Sequence, residues 1–319
     1  MKRALLVGID DYANVTPLKG CVQDVQKMAT VLARHHDGSP NFECQSLTNP
    51  GSPGKITRAL LRQKWRDLFA GFSGDVLFYF SGHGTPTDTG GYLVTQDATE
   101  DDWGLAMNDL LILANESKAQ SVLIVLDCCY SGGLGNPPNS KKDHAELREG
   151  VTVLSASLPS QTAAIVGGQS VFTELVVGAL QGGAGDVRGR VSAASVYAYV
   201  EAALGAWDQR PMYKSHASKL EPIRYCEPLV PDALLRSLPQ FFKTAASEFA
   251  MTPSYERTHN DANPDHVKIF DSFKTLQSAG LLKGVSGNPH LYYIAVGGEA
   301  VALTALGQFY WRLANDKKI

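Results

Sequence analysis

A histidine and a cysteine follow two short apolar runs of the sequence, and together they could perform nucleophilic chemistry. His83 lies three residues after the run 75–80 (DVLFYF), and Cys129 lies three residues after the run 121–126 (SVLIVL). A free thiol is mostly protonated at neutral pH, so it needs a neighbouring imidazole to become an efficient nucleophile. The two side chains therefore predict a cysteine nucleophile with a histidine base.

Both runs have the pattern of buried strands. They are rich in β-branched and aromatic residues and lack alternation, which is typical of strands covered on both faces in a parallel sheet. Ligands of open α/β sheets bind outside the carboxyl ends of the strands, which is where His83 and Cys129 lie. Gly82 and Gly84 flank the histidine, and they allow tight turns that leave amide N–H groups free to face a substrate oxygen.

The first two thirds of the chain continue this alternation of strands and helices. Apolar periodicity and breaker residues predict four more strands and five helices. The strands are 3–8, 42–47, 151–156 and 219–226, and the helices are 24–34, 56–69, 108–115, 172–180 and 193–204. The polar, Gly- and Pro-rich segment 132–150 is expected to be a mobile loop. We therefore expect an α/β sandwich with a six-stranded, mostly parallel sheet.

Composition and charge exclude several classes of function. The 319 residues carry 29 basic and 32 acidic side chains, a net charge of −3, so nothing favours nucleic acid or a membrane as partner. The five cysteines are odd in number and are not spaced as metal ligands, which argues against a disulfide scaffold or a zinc site. The first apolar run, 4–9, is too short for a signal sequence or a membrane span, so we expect a cytoplasmic protein.

Two motifs resemble a known family. Residues 81–84 (SGHG) and 127–132 (DCCYSG) are similar to the SGHG and DxCxSG motifs of caspase-fold peptidases of the metacaspase type. The resemblance extends to 20–24 (GCVQD), 161–163 (QTA) and 172–173 (FT), and it covers residues 1–226. The order of His before Cys, 46 residues apart, is also close to the spacing of about 50 found in caspases.

The resemblance implies roles for individual residues. It implies Cys129, rather than Cys128, as the nucleophile, His83 as the general base, and the amides of Gly84 and Cys129 as the oxyanion hole. It also implies an S1 pocket, the site of the residue before the cleaved bond (P1), lined by Cys21, Asp24, Ser81 and Asp127. Two carboxylates there would favour a cationic P1 side chain, so we expect cleavage after Arg or Lys. The alternative is that Asp127 caps a helix and that Asp24 is a solvated helix carboxylate.

Members of the family often need calcium, and one acidic cluster lies in the corresponding region. Because a charge run is more commonly a solvated face, the sequence favours no cofactor and no metal, with calcium as the alternative. The candidate calcium ligands are Asp97, Glu100, Asp101 and Asp102.

The loop 132–150 lies where caspase-fold enzymes separate their large and small segments. Its basic residues would suit the expected specificity, so we hypothesise self-cleavage after Lys141, Lys142 or Arg148.

A domain boundary is expected near 227–231 (EPLVP), which gives a peptidase domain at 1–228 and a second domain at 229–319. The second domain is predicted to hold helices at 232–249 and 267–279 and extended pieces at 291–296 and 299–304, an order that suggests a small α+β, winged-helix-like module. Its balance of nine basic and eight acidic residues lacks the basic stripe that phosphate contacts require. A protein activator is therefore the expected partner of this domain.

Three functions remain open. The leading one is a cysteine endopeptidase acting on protein substrates, an effector protease activated by a partner or by processing; the resemblance adds a prokaryotic defence pathway as the setting. The second is a catalytically silent caspase-like scaffold, which the presence of both His83 and Cys129 disfavours. The third is a winged-helix transcription regulator with a caspase-like sensor domain, which the charge balance disfavours.

Overall fold

Strands and helices alternate along the first unit of the chain, which comprises Met1–Gly185 and Arg190–Glu227. A computed structural model describes residues 2–52, 54–87, 90–100, 102–128, 146–156, 165–166, 169–204, 210–217 and 221–319. The elements of this unit are β1 (Lys2–Ile9), α1 (Cys21–Ala33), β2 (Phe42–Asn49), α2 (Arg58–Phe69), β3 (Asp75–Ser81), β4 (Gly84–Thr87), β5 (Gly90–Thr99), β6 (Asp102–Ala106), α3 (Met107–Glu116), β7 (Ser121–Asp127), β8 (Val151–Ser155), β9 (Ile165–Val166), β10 (Gln169–Ser170), α4 (Val171–Gly178), a π-helical turn (Ala179–Gly183), β11 (Arg190–Val191), α5 (Ala193–Leu204), β12 (Met212–His216) and β13 (Arg224–Tyr225).

Six of these strands form the main sheet. Their order is β12-β8-β7-β3-β1-β2. Neighbours from β8 to β2 run parallel, and β12 is antiparallel to β8. The predicted six-stranded, mostly parallel sheet is therefore confirmed.

Helices cover both faces of the sheet, which explains why its strands lack alternation. In β1, Leu5, Val7 and Ile9 belong to the core that includes residues of α2 and α3. Ala4 and Leu6, the intervening residues, belong to the core that includes residues of α1, α4 and α5. The unit is thus an α/β/α sandwich.

The sixth strand differs from the prediction of 219–226. Met212–His216 pairs with β8, whereas Arg224–Tyr225 pairs with Arg190–Val191 in a separate two-stranded sheet. Tyr213 packs against the core of that face, and its ring stacks on Tyr197 of α5 at 5.3 Å. Side-chain packing therefore makes 212–216 the sixth strand, although polar residues such as Lys214 and Ser215 give this segment no strand pattern in the sequence.

The second unit comprises Asp186–Gly189 and Pro228–Ile319. Its elements are α6 (Asp232–Arg236), α7 (Leu238–Phe241), β14 (Glu248–Ala250), a 3₁₀ turn (Pro253–Tyr255), α8 (Pro264–Ser278), β15 (Leu282–Gly284), α9 (Leu291–Val296), β16 (Ala300–Leu303) and α10 (Ala305–Asn315). The three strands form an antiparallel sheet in the order β14-β16-β15.

Two predicted elements of this unit are wrong, while the winged-helix assignment itself stays a prediction. The helix expected at 232–249 is divided into α6, α7 and the strand β14. The extended piece expected at 291–296 is the helix α9, because its buried residues Leu291, Ile294 and Ala295 have helical spacing. β16 therefore pairs with β15 and β14 rather than with 291–296.

Among the described residues, no helix has the length and apolarity needed to cross a bilayer.

Candidate active site

The carboxyl ends of three strands lie side by side at one edge of the main sheet. In the register of the sheet, Gly8 of β1 faces Ser81 of β3, and Ser81 faces Asp127 of β7. The N–H of Gly82 donates a 3.3 Å hydrogen bond to the carbonyl oxygen of Asp127. The predicted functional residues on β3 and β7 therefore share this edge.

His83 is the connection between this edge and the hairpin β4–β5. Its Nε2 atom lies 2.7 Å from the carbonyl oxygen of Thr16. Because a carbonyl oxygen can only accept a hydrogen bond, Nε2 carries the proton in the neutral ring and Nδ1 keeps a free lone pair. The imidazole is thereby prepared to accept a proton at Nδ1.

Tyr12 fixes the backbone and the ring of His83. The tyrosine hydroxyl accepts a 2.9 Å hydrogen bond from the His83 N–H, and the two rings lie 5.0 Å apart. A Cβ atom at Gly82 would lie 2.7 Å from the same hydroxyl oxygen. The glycine before the histidine is therefore required by this close approach.

Gly84, predicted for the oxyanion hole, is the first residue of β4 and faces Leu93 of β5. The N–H of Val94 donates to the carbonyl oxygen of His83 at 3.0 Å. Hydrogen-bonded and non-hydrogen-bonded pairs alternate along an antiparallel ladder, so the Gly84 N–H points away from β5. The oxyanion-hole role of Gly84 stays a prediction.

The predicted nucleophile lies outside the described residues. Cys129 follows Cys128 in the chain, and Cys128 is the first residue after β7. Cys128 is 1% exposed and belongs to the hydrophobic core, as a small apolar residue would. Lys141 and Lys142, two of the proposed self-cleavage residues, also lie outside the described part.

Asp24, Ser81 and Cys21 of the predicted S1 pocket come together in the structure. All three are buried, and the Ser81 hydroxyl donates a 3.1 Å hydrogen bond to Oδ2 of Asp24. Burial, and then the charge of Asp127, raises the pKa of Asp24 to about 7. Burial also raises the pKa of the Cys21 thiol, so this cysteine is neutral at physiological pH.

Asp127, the fourth predicted S1 residue, is buried beside the first turn of α4. Oδ2 of Asp127 accepts a 2.5 Å hydrogen bond from the Thr173 hydroxyl, which lies 2.6 Å from the hydroxyl of Tyr79. Burial raises the pKa of Asp127, while hydrogen bonds from Ser170 and Thr173 act in the opposite direction.

Several residues of the site were not found by sequence reasoning. Asp10 follows β1, and its Oδ1 accepts a 2.8 Å hydrogen bond from the Cys21 N–H, which places a third carboxylate at the start of α1. Its position after a buried strand was the signal available. Tyr12 and Thr16 lie in the irregular segment between β1 and α1, where no periodicity marks them.

The acidic cluster considered for calcium has protein partners in the described part. Asp97 accepts hydrogen bonds from the Thr95 hydroxyl and the Arg58 N–H, and Asp102 forms an ion pair with Arg58. Asp101 lies outside the described residues, and among those described no group of three His, Cys, Asp or Glu side chains could hold a metal.

Arg148, the third proposed self-cleavage residue, is tightly held. Its guanidinium donates to the carbonyl oxygens of Ala114, Ala119 and Glu149 and to the hydroxyl of Ser117. Cleavage after Arg148 would therefore require these contacts to open.

Comparisons with known proteins agree with this architecture. A model of the caspase domain matches residues 1–221. Metacaspase-6 of Arabidopsis thaliana is 30% identical over 190 residues, which are 50% of this chain and 50% of that protein. Metacaspase-3 of Trypanosoma cruzi is 32% identical over 169 residues, which are 47% and 45% of the two chains. The chain thus spans about half the length of these curated relatives.

Solved structures share the fold at low identity. Caspase-1 of Spodoptera frugiperda aligns with a TM-score of 0.52 and 13% identity, over 70% of this chain and 90% of its own. A protein of Geobacter sulfurreducens aligns with a TM-score of 0.53 and 17% identity, over 71% and 99%. The caspase-domain match covers more than half of the chain, and the metacaspase relatives agree with it. This chain therefore belongs to the caspase-domain family of cysteine-type peptidases and is metacaspase-like.

Proposed function

We propose that the chain is an endopeptidase that cleaves proteins after Arg or Lys, with Cys129 as nucleophile and His83 as general base. The observation that carries the proposal is a pair of buried carboxylates: Asp127 at the sheet edge that leads into His83, and Asp24 of α1, which is hydrogen-bonded to Ser81 of that edge. Burying carboxylates without a cation is costly, so a guanidinium or ammonium group that enters gains charge-assisted contacts. An acidic or neutral P1 side chain gains none.

In the proposed reaction, Nδ1 of His83 takes the thiol proton and the sulfur of Cys129 attacks the carbonyl carbon of the peptide bond. The carbonyl oxygen becomes an oxyanion, for which the amides of Gly84 and Cys129 are the proposed donors. Collapse breaks the C–N bond, and the imidazolium gives its proton to the leaving amine. Water, deprotonated by His83, then hydrolyses the thioester and restores the thiol.

Activation is the second part of the proposal. Self-cleavage is assigned to Lys141 and Lys142 in preference to Arg148, because the Arg148 guanidinium is engaged by four groups of the folded unit. The unit at Pro228–Ile319 is proposed to bind a protein activator, and its near-neutral charge supports this choice over nucleic acid. We propose no metal requirement, with calcium dependence as the alternative that chelator treatment would reveal.

Fluorogenic peptides with Arg, Lys, Gln or Asp at P1 test the specificity. We expect turnover of the Arg and Lys peptides alone, and its loss in Cys129→Ala and His83→Ala. Turnover that survives both substitutions would refute the catalytic pair, and preferred cleavage after Asp would refute the acidic pocket. Absence of turnover in the wild type, with and without calcium and after limited proteolysis, would favour the silent scaffold.

A protein mixture tests processing and substrate class together. Wild type and Cys129→Ala are incubated alone and with the mixture, and new N-termini are sequenced. We expect new termini after Arg and Lys in the mixture and after Lys141 or Lys142 in the chain itself. If the mixture is cleaved while the wild-type chain stays intact, self-processing is refuted and the proposed peptidase activity still stands.

A further inference from the structure

We propose that Thr173 and Tyr79 are positioning residues of the acidic pocket, a relay of two buried hydroxyls that fixes Asp127 as the anionic anchor for the P1 cation. This inference rests on the proposed function, because it needs a cationic P1 side chain. It concerns residues that do not touch the substrate and act only through Asp127.

The relay has one direction. Thr173 has a single hydroxyl proton, and it donates that proton to Oδ2 of Asp127 over 2.5 Å. The Thr173 oxygen can then serve only as the acceptor of its second contact, so the Tyr79 hydroxyl, 2.6 Å away, is the donor. The order is therefore Tyr79 to Thr173 to Asp127, and donors in series polarise one another.

The relay is sealed from solvent. Tyr79 and Thr173 are both 0% exposed, and Asp127 is 4% exposed. Water is thus excluded from the contact between the hydroxyls and the carboxylate, and in such surroundings a hydrogen bond to an ionised group is stronger than in water. A buried Tyr hydroxyl needs a hydrogen-bond partner wherever it lies. Here the partner is a second hydroxyl that itself donates to a carboxylate, so the Tyr79 hydroxyl also supports the negative charge of Asp127.

The position of Thr173 in α4 adds to this effect. It is the third residue of the helix, whose N-cap is Ser170, and helix N-termini favour negative charge. Ser170 and the Thr173 N–H also act on Asp127, and their hydrogen bonds lower the pKa of its carboxyl against the effect of burial.

Asp24, the other carboxylate of the pocket, is held differently. It accepts a 3.1 Å hydrogen bond from Ser81, and the charge of Asp127 contributes to its raised pKa of about 7. The two carboxylates are therefore held differently: Asp127 accepts a hydrogen bond from Thr173, whereas Asp24 accepts one from Ser81. The titratable groups that act on this pair are Tyr79, whose pKa is raised by burial and by both carboxylates, and Asp10, Lys27 and Cys21 around Asp24.

Steady-state kinetics on Arg and Lys peptides test the relay. Thr173→Val removes the hydroxyl and keeps the shape, and Tyr79→Phe removes the first donor. We expect KM to rise about tenfold in Thr173→Val and about threefold in Tyr79→Phe, with kcat within about twofold of wild type. The acid limb of kcat/KM should move to higher pH in both, because the ionised Asp127 has lost support.

Two controls separate positioning from general destabilisation. Thr173→Ser retains the hydroxyl and should restore the wild-type KM and pH profile. Thr152→Val removes the hydroxyl of another buried threonine, which pairs with Ser215 between β8 and β12, so it should lower stability without changing KM. If Thr173→Val does not fold, Tyr79→Phe carries the same test.

The outcomes distinguish the two proposals. A wild type that cleaves Arg and Lys peptides, with KM and pH profiles unchanged in Thr173→Val and Tyr79→Phe, would overturn the relay and leave the proposed function standing. A fall in kcat with unchanged KM would also overturn it. A wild type that cleaves no basic peptide would refute the proposed function and the relay with it.

Discussion

The Nε2 atom of His83 lies 2.7 Å from the carbonyl oxygen of Thr16, and this contact assigns the tautomer of the ring. His216 offers the opposite case in the same unit, since its Nδ1 atom lies 2.9 Å from the carbonyl oxygen of Leu147. We expect ¹⁵N spectra at neutral pH to show the proton on Nε2 of His83 and on Nδ1 of His216. A proton found on Nδ1 of His83 instead would refute the hypothesis that Nδ1 is the base.

Activity on Arg peptides should depend on the ionisation of Asp24. Its pKa of about 7 means that the pocket loses the charge of Asp24 as the pH falls through 7, so kcat/KM should fall by up to about tenfold per pH unit below it. The comparison is between wild type and Asp24→Asn, whose profile should lose this component. Asp109→Asn, on the exposed face of α3, is the control.

The same carboxylate should oppose folding at alkaline pH. Its folded-state pKa lies above the ordinary value of 3.8, so the folded state holds the proton more tightly than the unfolded state. The cost of burying the charged form is therefore present above pH 7 and is relieved as the pH falls from 7 towards 4. Asp24→Asn should raise the melting temperature at pH 8, by about 2–4 °C for each kcal/mol gained, and much less at pH 5. Equal effects at both pH values would contradict this linkage.

Tyr12→Phe should impair catalysis more than binding. The substitution leaves the His83 N–H without its acceptor and loosens the turn at Gly82, which costs about 1–2 kcal/mol. We expect kcat to fall about fivefold to thirtyfold with a smaller change in KM. Tyr197→Phe, in the Tyr197–Tyr213 stack, should have no such effect on kcat.

Gly8→Ala should lower both the stability of the fold and the affinity of the pocket for Arg peptides. A Cβ atom there would collide with the carbonyl oxygen of Cys21 and lie 2.8 Å from Cγ2 of Val25, so α1 must move and carry Asp24 with it. We expect a loss of about 1–3 kcal/mol in the free energy of unfolding and a raised KM for Arg peptides. Gly178→Ala, where the nearest side-chain atom is 3.6 Å away, should do neither. A Gly8→Ala protein with wild-type melting and KM would show that α1 does not need this approach.

The sequence predicts the part of the site that lies on regular strands. The unbroken apolar runs before Ser81 and Asp127 indicate parallel strands, and parallel strands place their carboxyl ends at one edge. Tyr12 and Thr16 were missed for a physical reason, and Thr173 entered only through the resemblance at 172–173, without a role. The roles of Tyr12 and Thr16 depend on a loop path. The role of Thr173 depends on the packing of α4 beside Asp127, and neither the path nor the packing follows from local periodicity.

The errors have the same origin. β12 (MYKSH) carries a polar edge-strand sequence, and pairing with β8 rather than its own composition makes it a strand. Residues 291–296 have strand-like composition, but the buried positions Leu291, Ile294 and Ala295 require a helix. In both cases tertiary packing overrides local preference.

The position of β8 between β7 and β12 determines whether cleavage of the chain before β8 would separate the two fragments. Hydrolysis anywhere between Asp127 and Arg148 would give two polypeptides, yet the downstream one would still be hydrogen-bonded to β7 on one side of its first strand and would contribute α4 and α5 to the interior. The Arg148 guanidinium would hold the start of the downstream polypeptide to the carbonyl oxygens of Ala114, in α3, and Ala119, which follows α3. Gel filtration would then report one particle of unchanged size, and the break would be visible only after denaturation.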